Sequence, residues 1–420
     1  MNLQVPSSSV DGPLSKPVTV VFTACSANYL VKALAMCLSV LEQHPDDIDI
    51  VVLLVDRKRP VTLNHPRVRL LWAEDLGVPD FLACAFKYNI IELNTALKPF
   101  TALYLLDRYR KVIYLDPDVC MFSRLDTVLD AFDGASVLFT PHALSPYEGN
   151  GRPTDQDLLR FGAFNLGFFA VCDTPNSRAL LAWWHRQCQT HCYYEPQMGL
   201  GVDQKWIDLA PSFFEGVRIL KHPGLNVAFW NLHERELSCT ASAWLVNQQT
   251  PLVFIHFSSF VESDASAVAD KQTRYAPGSR ADFSAAAQIY RQHLRSAQGM
   301  ASLETDYGFA TFDDGRSISP MLRRMYAVHR EDFFSECSDP FRDGGPVLEF
   351  ASRRGLLSSR AASTQHQNFK VASAYQKEQR IIAALFRLAL RLLGPDRYFA
   401  LMRYLGHYSS TLNQADLLRR

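Results

Sequence analysis

The sequence has no excess of charge of either sign: Lys and Arg together number 43, as do Asp and Glu, in 420 residues. No global field draws such a chain to nucleic acid or to an acidic polymer, so any charge-driven contact must be local. It also lacks any run of the roughly eighteen apolar residues needed to cross a bilayer. The opening stretch, MNLQVPSSSVDGPLSKP, has no charged segment followed by an apolar one. A protein neither secreted through a signal peptide nor integral to a membrane is expected. The nine cysteines are odd in number and scattered. A chain this long needs no disulfide framework, and such usage favours a reducing compartment, the cytoplasm. No motif recurs at a fixed period, which excludes a solenoid or a propeller.

What is present is a core-forming composition, 48% hydrophobic and 20% charged. That is enough for one large domain and a smaller appendage. Residues 1–17, rich in Ser, Pro and Gly, read as a loose arm. From Val18, VTVVFTACS is a continuous β-branched run of the kind found in buried parallel strands. Leu30, Leu34, Cys37, Leu38 and Leu41 then recur at helical spacing, and IDIVVLLVD forms a second buried strand. VRLLWAEDL, KVIYLDPDV, SVLFTPH, FNLGFFAVCD, VRILKHPG and PLVFIHFSS continue the series, with helices expected around 94–108 and 178–191. Strands alternating with helices, with polar groups at the strand ends, predict an open α/β sheet whose ligand lies at the carboxyl edge. After Phe260 the composition turns polar and small, with helices expected near 282–297, 317–333 and 370–417.

KVIYLDPDV delivers Asp116 and Asp118 from the end of a buried strand. Two carboxylates one residue apart can hold a hard divalent cation that also grips a diphosphate. In isolation, Asp-Pro-Asp more often only caps a turn. Here it stands in company. In order along 18–260 come VFTACSANYL, KVIYLDPDV, GAFNLGFFAV, GVDQKWID and FIHFSSF. This series resembles the GT-A class of glycosyltransferases, and within it family 8 and the transferases of bacterial polysaccharide gene clusters.

The resemblance implies a GT-A-like open mixed sheet flanked by helices over residues 18–262, then linker and accessory helices over 263–367 and a C-terminal helical region over 368–420. It implies transfer of a sugar from a nucleotide-diphosphate donor to a glycan, lipid-linked or protein acceptor, with retention of anomeric configuration and no role for nucleic acid. By it, Asp116, Asp118 and His256 hold Mn2+ or Mg2+. Thr23 and Ala24 of the first strand, Lys98 and Lys271 lie on the donor side with the two aspartates. Asn165, Asp203 and Gln204 face the sugar. On residue chemistry alone, Asn165 is equally a bulge asparagine, and Gly167 two residues on permits close approach to the backbone. Lys98 is equally a solvated lysine. The family-8 pattern has a glycine three residues after the histidine and then Lys-Pro-Trp. This chain has Ser259 and no Lys-Pro-Trp, which leaves Lys271 and Arg274 as candidates for the diphosphate.

By the same resemblance Asn226, Trp230 and Asn231 line the acceptor side, although aromatic packing is the simpler explanation for Trp230. His185, Cys188 and Cys192 share a helical face, but structural zinc needs four ligands and a buried face explains them better. A sugar nucleotidyltransferase would show a glycine-rich basic loop after the first strand, which TACSANYL is not. A non-catalytic nucleotide-sugar scaffold would have no need of intact Asp116, Asp118 and His256. Arg380, Arg387 and Arg391 fall on one face of an otherwise apolar C-terminal helix. Its wide apolar face predicts packing on the catalytic domain or a second subunit, with peripheral contact to the inner face of an anionic membrane as the alternative.

Overall fold

A computed structural model of the chain describes residues 18–241, 243–264, 266–358 and 376–415. The arm expected over 1–17 and the boundary expected at 367 and 368 lie outside them. The strands that matter here are β1 (Thr19–Cys25), β2 (Asp49–Leu54), β3 (Val68–Trp72), β4 (Lys111–Leu115), β5 (Val119–Met121), β6 (Val137–Pro141), β7 (Phe164–Cys172), β8 (Val217–Ile219) and β9 (Phe254–His256). Seven of them form one sheet in the order β8-β6-β7-β4-β1-β2-β3. β4, β1, β2 and β3 run parallel, and β7 enters antiparallel to both β4 and β6. The sheet is therefore mixed, as expected. β5 and β9 form a separate two-stranded antiparallel pair.

The two-residue period of a strand sends alternate side chains to opposite faces. Along β1, Val20, Phe22 and Ala24 join one apolar cluster, and Val21 and Cys25 the other. Helices α1 (Leu30–Gln43), α2 (Phe81–Lys87), α3 (Ile90–Ala96), α4 (Lys98–Leu106) and α5 (Pro175–His191) cover the two faces. Leu93, Leu106 and Trp184 lie on the first side, and Leu34 and Cys37 on the second.

Later helices complete both layers: α6 (Ala281–Ala297), α7 (Pro320–Phe333) and α8 (Pro346–Arg353). Tyr290 of α6 stacks on Phe257 with ring centroids 4.5 Å apart. From α7, Arg323 donates to the carbonyls of Ala85, Phe86, Tyr88 and Phe309. Arg324 pairs with Glu92 at 2.6 Å. These two buried arginines satisfy otherwise open carbonyls and the buried carboxylates of Glu92 and Glu195, which is why they can be buried.

Two expectations change. The single helix around 94–108 is two, with Leu97 ending α3 and starting α4. Asn89 and Glu92 cap the first reciprocally, and Pro99 sits in the first turn of the second, where its missing N–H removes no intrahelical bond. The break makes Lys98 the first residue of α4. The C-terminal helix, α9 (Gln376–His407), has no buried residue and bends at Gly394, whose φ is 72°. None of its residues is buried against the catalytic domain, where packing was the expectation; on that side the helical layer is formed by α7 and α8 among others. The chain returns only beyond it, in α10 (Thr411–Gln414), where Thr411 Oγ1 donates to Glu195 Oε1 at 2.7 Å.

Candidate active site

β4 ends at Leu115, and Val119 N bonds Asp116 O at 3.1 Å, closing a turn with Pro117 at its second position. Proline is preset for that position. Asp116 N donates to Gly167 O at 2.8 Å, which holds the turn against β7. The chain then enters β5, where Val119 faces His256 of β9, and Phe257 N bonds Asp118 O at 2.8 Å. This short antiparallel pair brings His256 to the aspartates although it stands far along the sequence from them.

His256 Nε2 lies 3.0 Å from Asp118 Oδ1 and 3.6 Å from Asp116 Oδ2. One ligand atom from each of the three lies within 4.8 Å of the others. Two carboxylates and an imidazole at that separation fit a divalent cation, and no other group of three or more such side chains does so among the described residues. Burial opposes a charge on His256, but Asp118 and Asp116 outweigh it and its pKa is raised. Burial also opposes a charge on Asp118, and His256 in turn holds its carboxyl below the usual range. The imidazole lies against Gly167, where a Cβ would overlap the ring and stand 2.8 Å from Asn165 Oδ1. Trp230 closes another side, its ring crossing that of His256 at 89° with centroids 5.1 Å apart.

Lys98 is 4% exposed. Its Nζ is 3.3 Å from Asp116 Oδ1, 3.3 Å from Asp203 Oδ2 and 3.0 Å from Leu166 O, and lies 4.4 Å from the centre of the Tyr114 ring. Tyr114 donates its hydroxyl to Asp116 Oδ1 at 2.5 Å. Burial disfavours the charged lysine, but Asp116 and Asp203 more than restore it, so its pKa is raised. Asp203 goes the other way from a simple ion pair: burial is its largest influence, Lys98 offsets only part, and its pKa is pushed up to about 6.

Asn165 Oδ1 accepts from Gly167 N at 3.1 Å and from Asn226 Nδ2 at 3.0 Å, and lies 3.2 Å from His256 Nδ1. Gln204 Oε1 accepts from Leu166 N at 3.0 Å while its Nε2 donates to Phe161 O at 2.9 Å. Asn231 binds the carbonyls of His142 and Asn226, both at 2.9 Å.

In front of this layer opens a cleft of about 410 Å3, lined by Ala24, Ser26, Asn28, Tyr29, Ile90, Ile91, Asn94 and Thr95 on one side and by Lys98, Tyr114, Asp116 and Asp118 on the other. Its size is that of a small-molecule site, with apolar walls and a few polar groups. Thr23 is fully buried and Lys271 is exposed, and neither is among the lining residues. Arg274 is engaged elsewhere, donating to the carbonyls of Glu148 and Pro153. Cys188 and Cys192 lie in the apolar core, and His185 packs on Phe100. The sequence reading passed over Tyr114, although its place two residues before Asp116 puts it on the same face of the strand. The α3 side of the cleft carries no motif that could have marked it.

No protein-family model matches the chain. Two Bacillus subtilis proteins, both described as uncharacterized, are similar to it. YfnD is 26% identical over 251 residues, covering 57% of this chain and 76% of YfnD. YfnF is 23% identical over 302 residues, covering 70% of this chain and 98% of YfnF. Among solved structures the chain resembles the galactosyltransferase LgtC, solved in complex with donor and acceptor sugar analogues, at 16% identity and a TM-score of 0.41, covering 68% of this chain and 98% of LgtC.

Proposed function

We propose that the chain is a GT-A-type glycosyltransferase that moves a sugar from a nucleotide-diphosphate donor to a glycan, lipid-linked or protein acceptor. The observation that carries this reading is the convergence of Asp116, Asp118 and His256, with the two aspartates lining a cleft sized for a nucleotide. These three would hold Mn2+, which suits a mixed oxygen and imidazole set, or Mg2+, which prefers oxygen alone. Bound there, the metal would supply positive charge to the departing diphosphate.

The chain's own residues do the rest. Ser26, Asn28, Tyr29 and Asn94 offer the nucleoside an aromatic ring and polar side chains. Lys98 keeps Asp116 and Asp203 in fixed positions. Asp203 and Gln204, next to one another and tied to this layer through Lys98 and Leu166, orient the sugar and stabilise charge at the reacting carbon. Retention of configuration follows from the resemblance to family 8. Nine cysteines, none paired, support a reducing compartment, and the reading places the reaction in polysaccharide biosynthesis on the cytoplasmic side.

A thermal-shift screen of nucleotide sugars, with Mn2+ and with EDTA, tests the proposal. A ligand at a hundred times its Kd stabilises the native state by about 2.7 kcal/mol. At least one nucleotide sugar raises Tm with Mn2+ and fails to do so with EDTA. Stabilisation by none of them, or equal stabilisation in EDTA, contradicts the reading.

A further inference from the structure

The least explained surface of the molecule is α9. Ile381, Leu385, Leu388 and Leu392 are 59%, 58%, 52% and 75% exposed, and Phe399 and Tyr404 beyond the bend are 64% and 59% exposed. At 3.6 residues per turn the first four fall within roughly 60° of one another, along one edge of an apolar arc of roughly 200° that Ile382, Phe386, Leu390 and Leu393 complete on the arm before Gly394. Arg380, Arg387 and Arg391 fall within about 40° of one another, opposite the middle of that arc. A contiguous apolar patch of this extent marks a contact surface.

Charge decides which contact. In a chain of net charge zero, α9 carries Lys377, Arg380, Arg387, Arg391, Arg397 and Arg403 against Glu378 and Asp396 only. No acidic residue occurs from Gln379 to Pro395. Pairing with the α9 of a second copy would leave much of this face uncovered, because a two-helix seam covers a far narrower arc, and would leave the arginine ridge on the far side with no acidic partner. The helix cannot cross a bilayer either: no helix among the described residues is long and apolar enough. A helix lying in the plane of an anionic surface satisfies both faces. Its apolar arc enters the acyl boundary while the arginine stems reach back to lipid phosphates.

We propose that α9 is a peripheral anchor, lying flat on an anionic phospholipid membrane with Ile381, Leu385, Leu388 and Leu392 inserted and Arg380, Arg387 and Arg391 at the headgroups. The glycine at 394, with proline after it, sets the second arm at an angle and adds Phe399 and Tyr404 to the same kind of interface. The surface stands apart from the cleft and does not depend on the reaction proposed there. Combined with that reading, on which this one step rests, it favours a lipid-linked acceptor.

Flotation of the full chain with phosphatidylcholine vesicles, with and without phosphatidylglycerol, tests the anchor. The chain floats with phosphatidylglycerol at low salt and is released as salt rises. The triple variant Arg380→Gln, Arg387→Gln, Arg391→Gln loses affinity on the order of a hundredfold, at about 1 kcal/mol per arginine. Leu385→Glu with Leu392→Glu abolishes flotation. Neither variant touches the core, so both keep the wild-type Tm. Failure of the wild type to float at low salt overturns the proposal. So does a wild-type dimer in sedimentation that the leucine variant converts to monomer, which would assign α9 to a second copy.

Discussion

The side-chain oxygen of Asn165 lies 3.2 Å from Nδ1 of His256, and the same oxygen accepts from Gly167 N and Asn226 Nδ2. Two other donors identify that atom as the amide oxygen, so Nδ1 of His256 carries the proton and Nε2 is left to face Asp116 and Asp118. Such an outer partner fixes both tautomer and ring orientation of a metal-binding histidine. Asn165 is on this account a positioning residue. Asn165→Leu weakens Mn2+ binding by about 10- to 100-fold in calorimetry, while Asn165→Asp, which keeps the acceptor, restores most of it. Equal affinity in wild type and Asn165→Leu would refute the role.

Gly167 gives the ring its place. A Cβ there overlaps the imidazole, and β7 cannot retreat because it is paired on both sides. Gly167→Ala therefore displaces His256, and calorimetry shows Mn2+ binding lost with far-UV circular dichroism unchanged. Retained Mn2+ affinity would show that the histidine is not held against this strand.

Lys98 answers two buried carboxylates, so its removal leaves charge unpaired. Breaking a buried pair from one side costs about 3–5 kcal/mol. Lys98→Met lowers stability by that order in urea unfolding, and adding Asp203→Asn recovers part of it. Simple additivity of the two losses would mean that they do not interact.

Asp203, with its pKa raised to about 6, titrates within an accessible window. Its folded pKa exceeds the unfolded value, so the native state binds the extra proton. Stability contributed by this group is therefore fullest below about pH 4 and falls as pH rises to about 6. In metal-free protein, Tm of wild type drops relative to Asp203→Asn across that window and runs parallel above it. In catalysis Asp203→Asn binds donor nearly normally and turns over slowly, as expected of a contact realised in the transition state. Lost donor affinity at unchanged turnover would make it a ground-state contact.

The main strands, the turn at Asp116 to Asp118 and the approach of His256 were legible because each rests on a local signal: a continuous β-branched run, an Asp-Pro-Asp turn, a histidine ending an apolar strand. The layer behind them was not. Asn165 meets His256 across 91 positions of sequence, and Lys98 meets Leu166 across 68, contacts that only strand pairing and the break at Leu97 create. The sequence shows that Gly167 permits close approach to the backbone but not what approaches it, which is the protein's own imidazole. Lys271 and Arg274 lie in a polar segment without periodicity, so nothing local indicated that Arg274 is bound to the loop around Glu148 and Pro153.

The central claim is that Asp116, Asp118 and His256 hold the cation that makes sugar transfer work. Release of nucleoside diphosphate from a stabilising nucleotide sugar, followed in EDTA-stripped protein as Mn2+ is added back, tests it most directly. The account predicts no release without metal, a saturating rise with Mn2+, and no recovery in Asp118→Ala at any concentration. Release at the full rate in EDTA, or an Asp118→Ala protein that saturates like wild type, would contradict it.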